Sequence, residues 1–390
     1  MAQLIAQLNS KLPNVGTTIF TVMSRMALEY NALNLSQGLP DFDCPVELKE
    51  LVTNYMELGF NQYAPMAGIQ PLRENIAAKI EKLYGCSYDP ETEITITAGA
   101  TQALYTVIST VVSPGDEVII FEPAYDSYAP SVIANGGTPV FIPLKESTFL
   151  IDWDRCKEAV SIKTKLIIIN SPHNPTGNVI TLGDLKNLEE IIRDTNILIL
   201  SDEVYEHIVF DGARHISLCH SGELARRSFI VSSFGKTYHT TGWKIGYCTA
   251  PKHLMSEFRK LHQFIVFAVN TPIQHAYSDY ILKQEHYLNL SGFYEAKRDL
   301  TLKILKGSQF KFTKTRGTYF QLLDYSGIST KNDIEFAEYL TKSIGVAVIP
   351  MSPFYSGIST RRLIRICFAK RDEVLIKAAE KLSLMISQQI

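Results

Sequence analysis

"ILILSDEVYEH", residues 197–207, is an apolar run that ends in acid. Ile197, Leu198, Ile199 and Leu200 follow one another with no polar alternation, as in a strand buried on both faces. Ser201, Asp202 and Glu203 stand where such a strand would leave the core. The same pattern recurs: "EITITAG" (93–99), "DEVIIFEP" (116–123), "TPVFIPL" (138–144), "KLIIIN" (165–170) and "RSFIVSSF" (227–234). Helical stretches such as "ATQALYTVISTVV" (100–112) and "YDSYAPSVIANG" (125–136) lie between them. Strands alternating with helices predict an α/β fold with a mostly parallel central sheet covered on both faces. Ligands of such sheets bind beyond the carboxyl ends of the strands. The polar segments "TAGATQ", "EPAYDSY", "NSPHNPTG", "SDEVYEH" and "SSFGKTYHTTG" all fall there.

The pattern changes towards the C-terminus. A helix over "GFYEAKRDLTLKILK" (292–306) precedes short strands "KFTKT" (311–315) and "GTYFQLLDY" (317–325). A helix "NDIEFAEYLTKSIG" (332–345), strands "VAVIPM" (346–351) and "LIRICFAK" (363–370), and a helix "RDEVLIKAAEKLSLMIS" (371–387) complete it. This predicts a smaller α+β domain, and 390 residues are too many for one typical core. The expected division is a large domain over 40–280, with 1–39 and 281–390 forming an N-terminal arm and the small domain. The arm has too little apolar periodicity to fold alone and is expected to pack on the small domain or a neighbouring subunit.

Composition narrows the function. A net charge of −2 and no basic block give no support to a nucleic-acid partner. Six scattered cysteines without a C-x-x-C pair argue against a disulfide framework or zinc site and for a reducing compartment. "MAQLIAQLNSKLPNVG" (1–16) lacks the charged and apolar regions of a signal peptide. No apolar run approaches the roughly 18 residues of a membrane span. A cytoplasmic protein without metal is expected; His173, His207 and His239 lack metal-helix spacing and are read as structural or supporting. The run "FIVFAV" (264–269) is expected in a core or an interface.

Each polar segment has two readings. Lys236 and Lys244, in "VSSFGKTYHTTGWKIGY" (231–247), are either surface lysines or a nucleophile and an anion clamp, with Ser233 beside them. Asp202 is either a helix cap or a buried carboxylate awaiting a cation. Arg365, inside the apolar "LIRICFAK", serves either a structural ion pair or a bound carboxylate. "NSPHNPTG" is a loop or part of a site, and the backbone amides of "TAGATQAL" (97–104) could hold a phosphate. Taken together they describe one cofactor. Its aldehyde condenses with Lys236, Asp202 holds its ring nitrogen protonated, and Ser233, Lys244 and the "GAT" amides hold its phosphate. That cofactor is pyridoxal 5′-phosphate.

The chain resembles the fold-type I pyridoxal-phosphate transferases of the class I/II aminotransferase group. Within it, the resemblance is to the branch of methionine and kynurenine/glutamine aminotransferases. "NLSQGLPDFDCP", "NQYAPMAGIQPLR", "ITAGATQALY", "EPAYDSYAP", "NSPHNPTG", "SDEVYEHI", "SSFGKTYHTTGWKIGY", "GTYF" and "LIRICFAK" carry it, in family order, from about residue 34 to 370. The resemblance implies that Lys236 bonds the cofactor and then shuttles the substrate proton. It implies that Asp202 pairs with the ring nitrogen, and that Tyr205 and Asn174 hydrogen-bond the ring oxygen. Tyr125 would stack on the ring, and Ala100, Thr101, Ser233 and Lys244 would bind the phosphate. Tyr63 would reach the phosphate from the other subunit of a homodimer. Arg365, with Asn174, would bind the substrate α-carboxylate; Gly38 and Ile19 would line the substrate pocket, with Phe267 of the partner subunit near it. Many relatives of this fold carry an arginine where Lys244 stands; a lysine offers a point charge instead of a fork. The implied activity is ping-pong transamination from methionine, aromatic amino acids, glutamine or kynurenine to a 2-oxo acid. A cysteine-S-conjugate β-lyase on the same scaffold is the alternative. A non-catalytic regulator is disfavoured by the completeness of the site.

Overall fold

The computed structural model describes residues 8–385. The reading of a missing signal peptide therefore falls partly outside the described residues, over 1–7, as does the tail of the last predicted helix, over 386–387. Twelve strands occur among the described residues: β1 (Leu33–Asn34), β2 (Ile94–Thr97), β3 (Glu117–Glu122), β4 (Thr138–Pro143), β5 (Thr164–Asn170), β6 (Leu198–Asp202), β7 (Ser228–Ser233), β8 (Gly246–Thr249), β9 (Phe320–Asp324), β10 (Val346–Ala347), β11 (Ile349–Pro350) and β12 (Leu363–Cys367).

Seven of them form one sheet in the order β2-β8-β7-β6-β5-β3-β4. Pairings among β7, β6, β5, β3 and β4 are parallel, and β8 runs antiparallel to both its neighbours. The mostly parallel sheet expected from the sequence is present. The sequence reading ended its strand set at β7 and did not include β8, whose "GYCT" is a four-residue run behind the glycine-containing turn.

Alternate residues along the strands feed two cores. Ile119, Ile167, Ile169, Ile199 and Ile230 join the cluster on one face. Val118, Ile120, Leu166, Ile168, Leu200, Phe229 and Val231 join the cluster on the other. This period of two explains the unbroken apolar runs, because every position of a doubly covered strand is inside. Each such side chain contributes about 1.5–3 kcal/mol of burial, so the strands are rigid supports for whatever stands at their ends.

A third core gathers β9, β11 and β12, an antiparallel three-stranded sheet, with Met23 and Leu35 from the N-terminal segment. β1 pairs in parallel with β10, Leu33 opposite Val346 and Asn34 opposite Ala347. Val204, Tyr205 and Ile208 join this third core from the turn after β6. The predicted strand over 311–315 forms only a single bridge, Lys311 to Asp324: Phe312 packs against the third core and Thr315 is buried, while Lys311, Thr313 and Lys314 are exposed. The run 264–269 is divided: Phe264 is 88% exposed and Phe267 51%, while Val269 is buried in the first core and Val266 packs against it. No described helix is long and apolar enough to cross a membrane.

Candidate active site

β5, β6 and β7 are neighbours, and their carboxyl ends present Asn170, Asp202 and Ser233 side by side; Asn170 is in register with Asp202. A cavity of about 240 Å³ opens above them. Gly38, Ala100, Thr101, Tyr125, Asn174, Asp202, Tyr205, Ser233, Lys236 and Lys244 all line it. Ten residues read from separate sequence segments thus meet in one place, at the strand ends.

Lys236 follows β7 in a single helical turn, Phe234–Thr237. Its Nζ donates to the Tyr319 hydroxyl at 3.0 Å and to the Gly38 carbonyl at 3.3 Å. Tyr319 in turn donates to the same carbonyl at 2.6 Å. Burial pulls the Lys236 amine down to about 8; the Lys244 and Arg365 charges push the same way, while Asp202 opposes them. Lys236 is half-buried and lines the cavity, which a lysine on the outer surface would not do.

Asp202 is buried, and burial raises its carboxyl to about 6. Tyr128 restrains that rise by donating its hydroxyl to Oδ2 at 2.7 Å, and the Val204 N–H reaches Oδ1 at 3.3 Å. Neither contact neutralises the charge, so the carboxylate remains an acceptor for a cationic N–H. Asn170 ties this point to the far side of the site. Its Nδ2 donates to the Asp202 carbonyl at 2.8 Å, and its Oδ1 accepts the Asn174 N–H at 2.8 Å. Asn174 Oδ1 then accepts from Arg365 Nη1 at 2.6 Å.

Arg365 sits on β12 between Leu322 of β9 and Ile349 of β11. Its guanidinium is held against three rings, 3.8 Å from the Phe320 centroid, 5.0 Å from Phe354 and 5.5 Å from Phe20. It has no carboxylate partner within ion-pair distance among the described residues, and its buried Nε has no hydrogen-bond partner. Burial lowers it to about 10, which still leaves it charged at neutral pH. A buried fork with an unpaired N–H is costly unless an anion completes it. The structural ion pair weighed from the sequence is therefore absent.

The helix Gly99–Val111 begins at the opposite rim with no side-chain cap. Gly99 has φ +77°, and a Cβ there would stand 3.3 Å from Lys244 Nζ, so a glycine lets the lysine lie against the helix start. Lys244 itself adopts φ +54°, a left-handed conformation unusual outside glycine. Free amide N–H groups, the helix dipole and an ammonium converge, with Ser233 on the same wall.

Three predicted residues lie elsewhere. Arg365 is behind the cavity wall and touches it through Asn174. Ile19 lines an adjoining cavity of about 450 Å³ that shares Tyr125 with the first. Tyr63 is 81% exposed, edge-on to Phe267 at 5.1 Å, in a surface depression away from Lys236. His173, His207 and His239 line neither cavity; the first two are buried, and burial lowers all three below their ordinary range. No group of acidic, histidine and cysteine side chains among the described residues could hold a metal.

Sequence reasoning missed Tyr128, Asn170 and Tyr319. Tyr128 lies one short step along "YDSY" from Tyr125, and Asn170 closes the strand "KLIIIN"; both occupied quoted segments without a signal of what they would touch. Also missed was a buried cluster beneath the turn that carries Tyr205. There Lys79 Nζ contacts Glu206 Oε1 at 2.8 Å, the Tyr247 hydroxyl at 2.9 Å and His207 Nε2 at 3.1 Å.

Comparison with known proteins identifies the family. The model of "Aminotransferase class I and II" matches residues 30–382. The methionine aminotransferase of Escherichia coli is 48% identical over 374 residues, covering 96% of this chain and 97% of that protein. The solved structure of YbdL from E. coli, described as having a methionine aminotransferase function, superposes with a TM-score of 0.95 over 98% of this chain and 100% of that one. The probable N-succinyldiaminopimelate aminotransferase of Mycobacterium tuberculosis is 37% identical over 96% of this chain and 98% of its own length. A kynurenine–oxoglutarate transaminase of Dictyostelium discoideum is 32% identical over 94% of each.

Proposed function

The chain belongs to the class I and II aminotransferases and is a transaminase, and from that membership we propose that it moves the amino group of methionine, and of other apolar or aromatic amino acids, to a 2-oxo acid with pyridoxal 5′-phosphate as cofactor. The residues present fit that group. The uncapped helix start, with Lys244 against Gly99 and with Ser233, supplies donors for a dianionic phosphate. Asp202 offers a buried carboxylate to a pyridinium N–H, and Lys236 an amine depressed enough to be largely reactive above neutrality. Tyr205 and Asn174 line the same cavity where a ring hydroxyl would need donors, and Tyr125 offers a ring face. When bound, the cofactor acts as the electron sink for the substrate Cα carbanion.

The chain's own residues do the rest. Arg365 receives the α-carboxylate, held in orientation by Asn174 and by the rings of Phe20, Phe320 and Phe354. Lys236 Nζ takes the Cα proton and later returns it to the other end of the proton shift. Tyr319 and the Gly38 carbonyl aim that amine. Tyr128 keeps Asp202 ionised, so that the ring nitrogen stays protonated. The same residues serve the second half-reaction, in which a 2-oxo acid enters and leaves as an amino acid.

The observation that carries the reading is the placement of Lys236, Asp202 and the Lys244-bearing helix start around one cavity, with the unpaired Arg365 fork adjoining it. The substrate class rests on the aromatic surroundings of Arg365 and on the similarity to the E. coli enzyme. A homodimer in which Tyr63 completes the partner's phosphate site is part of the same proposal; its support is the exposed Tyr63, Phe264 and Phe267 surface. So are the division into a 40–280 domain and a small domain with the arm, supported by the β1–β10 pairing, and a cytoplasmic location, supported by six unpaired cysteines. No particular observation favours the cysteine-S-conjugate β-lyase. The test is to add single amino acids to the purified enzyme and follow the visible band of its lysine-bound cofactor. Methionine is expected to bleach it, with the 2-oxo acid as product. Bleaching by aspartate but not by methionine would reject the substrate class.

A further inference from the structure

The cavity that adjoins the lysine site contains a charge to which nothing above gives a role. Asp126 follows Tyr125 directly and lines that cavity together with Ile19, Phe20, Phe354 and Tyr355. Two of those rings, Phe20 and Phe354, are among the three held against Arg365. The cavity therefore borders the lysine site through Tyr125 and the arginine through those rings, which makes it the compartment open to a substrate's side chain once its α-carboxylate is on Arg365. Asp126 is only partly exposed, and the Arg365 charge reaches it without a direct ion pair. Burial pushes its carboxyl up, and the Arg365 charge opposes that rise. Asp126 is the one charged residue among those lining this compartment, whose walls are otherwise apolar, aromatic or neutral polar, and a partly desolvated carboxylate is costly to keep. It lends nothing to the packing that an asparagine of the same shape would not.

We propose that Asp126 is a specificity-determining residue: its negative charge excludes a second carboxylate from the side-chain compartment, so that dicarboxylic amino acids and dicarboxylic 2-oxo acids are poor substrates in either half-reaction. The inference rests on the transaminase reading with apolar donors and adds the element that rejects the acidic competitors. Arg365 attracts any carboxylate, and an aromatic wall alone discriminates weakly against a small acidic side chain. Repulsion between two charges in a partly desolvated compartment does so strongly. Glutamine and glutamate differ only in that charge, and thus isolate the effect from size and shape.

The experiment compares kcat/KM for glutamine and for glutamate in the holoenzyme and in Asp126→Asn. The wild-type ratio should favour glutamine by about tenfold or more, the scale of one screened like-charge contact. In Asp126→Asn the ratio should fall by about that factor, through a gain in glutamate turnover. A merely structural role would scale both substrates together and leave the ratio where it was, which would overturn the proposal. Should the variant not fold, the wild-type enzyme still decides. Glutaramate and glutarate are isosteric competitive inhibitors that differ in one charge. Glutaramate binding about tenfold tighter supports the assignment, and equal inhibition constants refute it. If methionine turns over well while these ratios stay flat, this inference alone fails. If the wild type prefers glutamate to methionine, the apolar-donor reading fails with it.

Discussion

Replacing Lys236 by methionine should make the cofactor-free protein more stable while destroying its activity. The wild-type amine is held near 8 against an ordinary 10.5. At pH 7 the folded state must therefore carry a charge it disfavours, at a cost of about 3 kcal/mol by proton linkage. Two effects reduce what the substitution recovers. Lys236 is half-buried, because part of it faces the cavity, and water there screens the charge. Its hydrogen bonds to Tyr319 and Gly38 are lost, although Tyr319 keeps its bond to the same carbonyl. A net gain of about 1–2 kcal/mol at pH 7 remains. The sign with pH follows from the direction of the shift. A depressed lysine binds fewer protons folded than unfolded between about 8 and 10.5, so wild-type stability rises across that window relative to the variant. Denaturant unfolding of both cofactor-free proteins at pH 7 and pH 10 measures the difference. The gain should be largest at pH 7 and shrink by pH 10. A variant less stable at pH 7, or a gain indifferent to pH, would refute the claim that the lysine is held in a desolvated, reactive state.

Other substitutions test the supports around it. Tyr128→Phe removes the 2.7 Å donor to Asp202 and should raise that carboxyl by about one to two pKa units, since a hydrogen bond to a buried charge is worth about 1.5–3 kcal/mol; the acid limb of the kcat–pH profile should move up and the cofactor should dissociate more readily. Arg365→Lys replaces a caged fork by a point charge and should lower kcat/KM about a hundredfold, with much of the loss in KM. Lys79→Met leaves Glu206 buried without its cation and should cost about 3–5 kcal/mol of stability in a melting experiment. In that last variant, restoring part of the loss with Glu206→Gln would confirm that the ion pair, and not the packing of Lys79, is responsible.

The parts of this molecule that were legible in its sequence are those where one local pattern has one physical solution. Short unbroken runs such as "KLIIIN" and "ILILS", rich in β-branched residues and alternating with helical stretches, read as strands covered on both faces, and in a parallel sheet the polar residues at their ends converge at one edge. Asp202, Ser233 and Lys236 were readable for that reason. Tyr128 was not, because its hydroxyl meets Asp202 across 74 residues of chain and nothing local announces the contact. Asn170 looked like a strand terminator, yet it links the ends of the Asp202–Arg365 network. β8 escaped because a strand of four residues inserted antiparallel needs no long apolar run, only neighbours on both sides. The stretch 311–315 erred the other way: its inward residues, Phe312 and Thr315, are three apart instead of two, and its backbone meets a neighbour at one bridge only. Arg365 shows the limit of a composition argument. An apolar strand signals that the arginine is buried, but not that three rings surround it or that its Nε is left without a partner.

The central claim is that Lys236, and not Lys244, is the residue that bonds the cofactor. Borohydride reduction of the purified enzyme fixes a lysine–carbonyl linkage as a stable secondary amine, and peptide mass mapping then locates it. A pyridoxyl-phosphate adduct is expected on Lys236, with Lys244 unmodified. An adduct on Lys244, or reduction that leaves both lysines free, would contradict it.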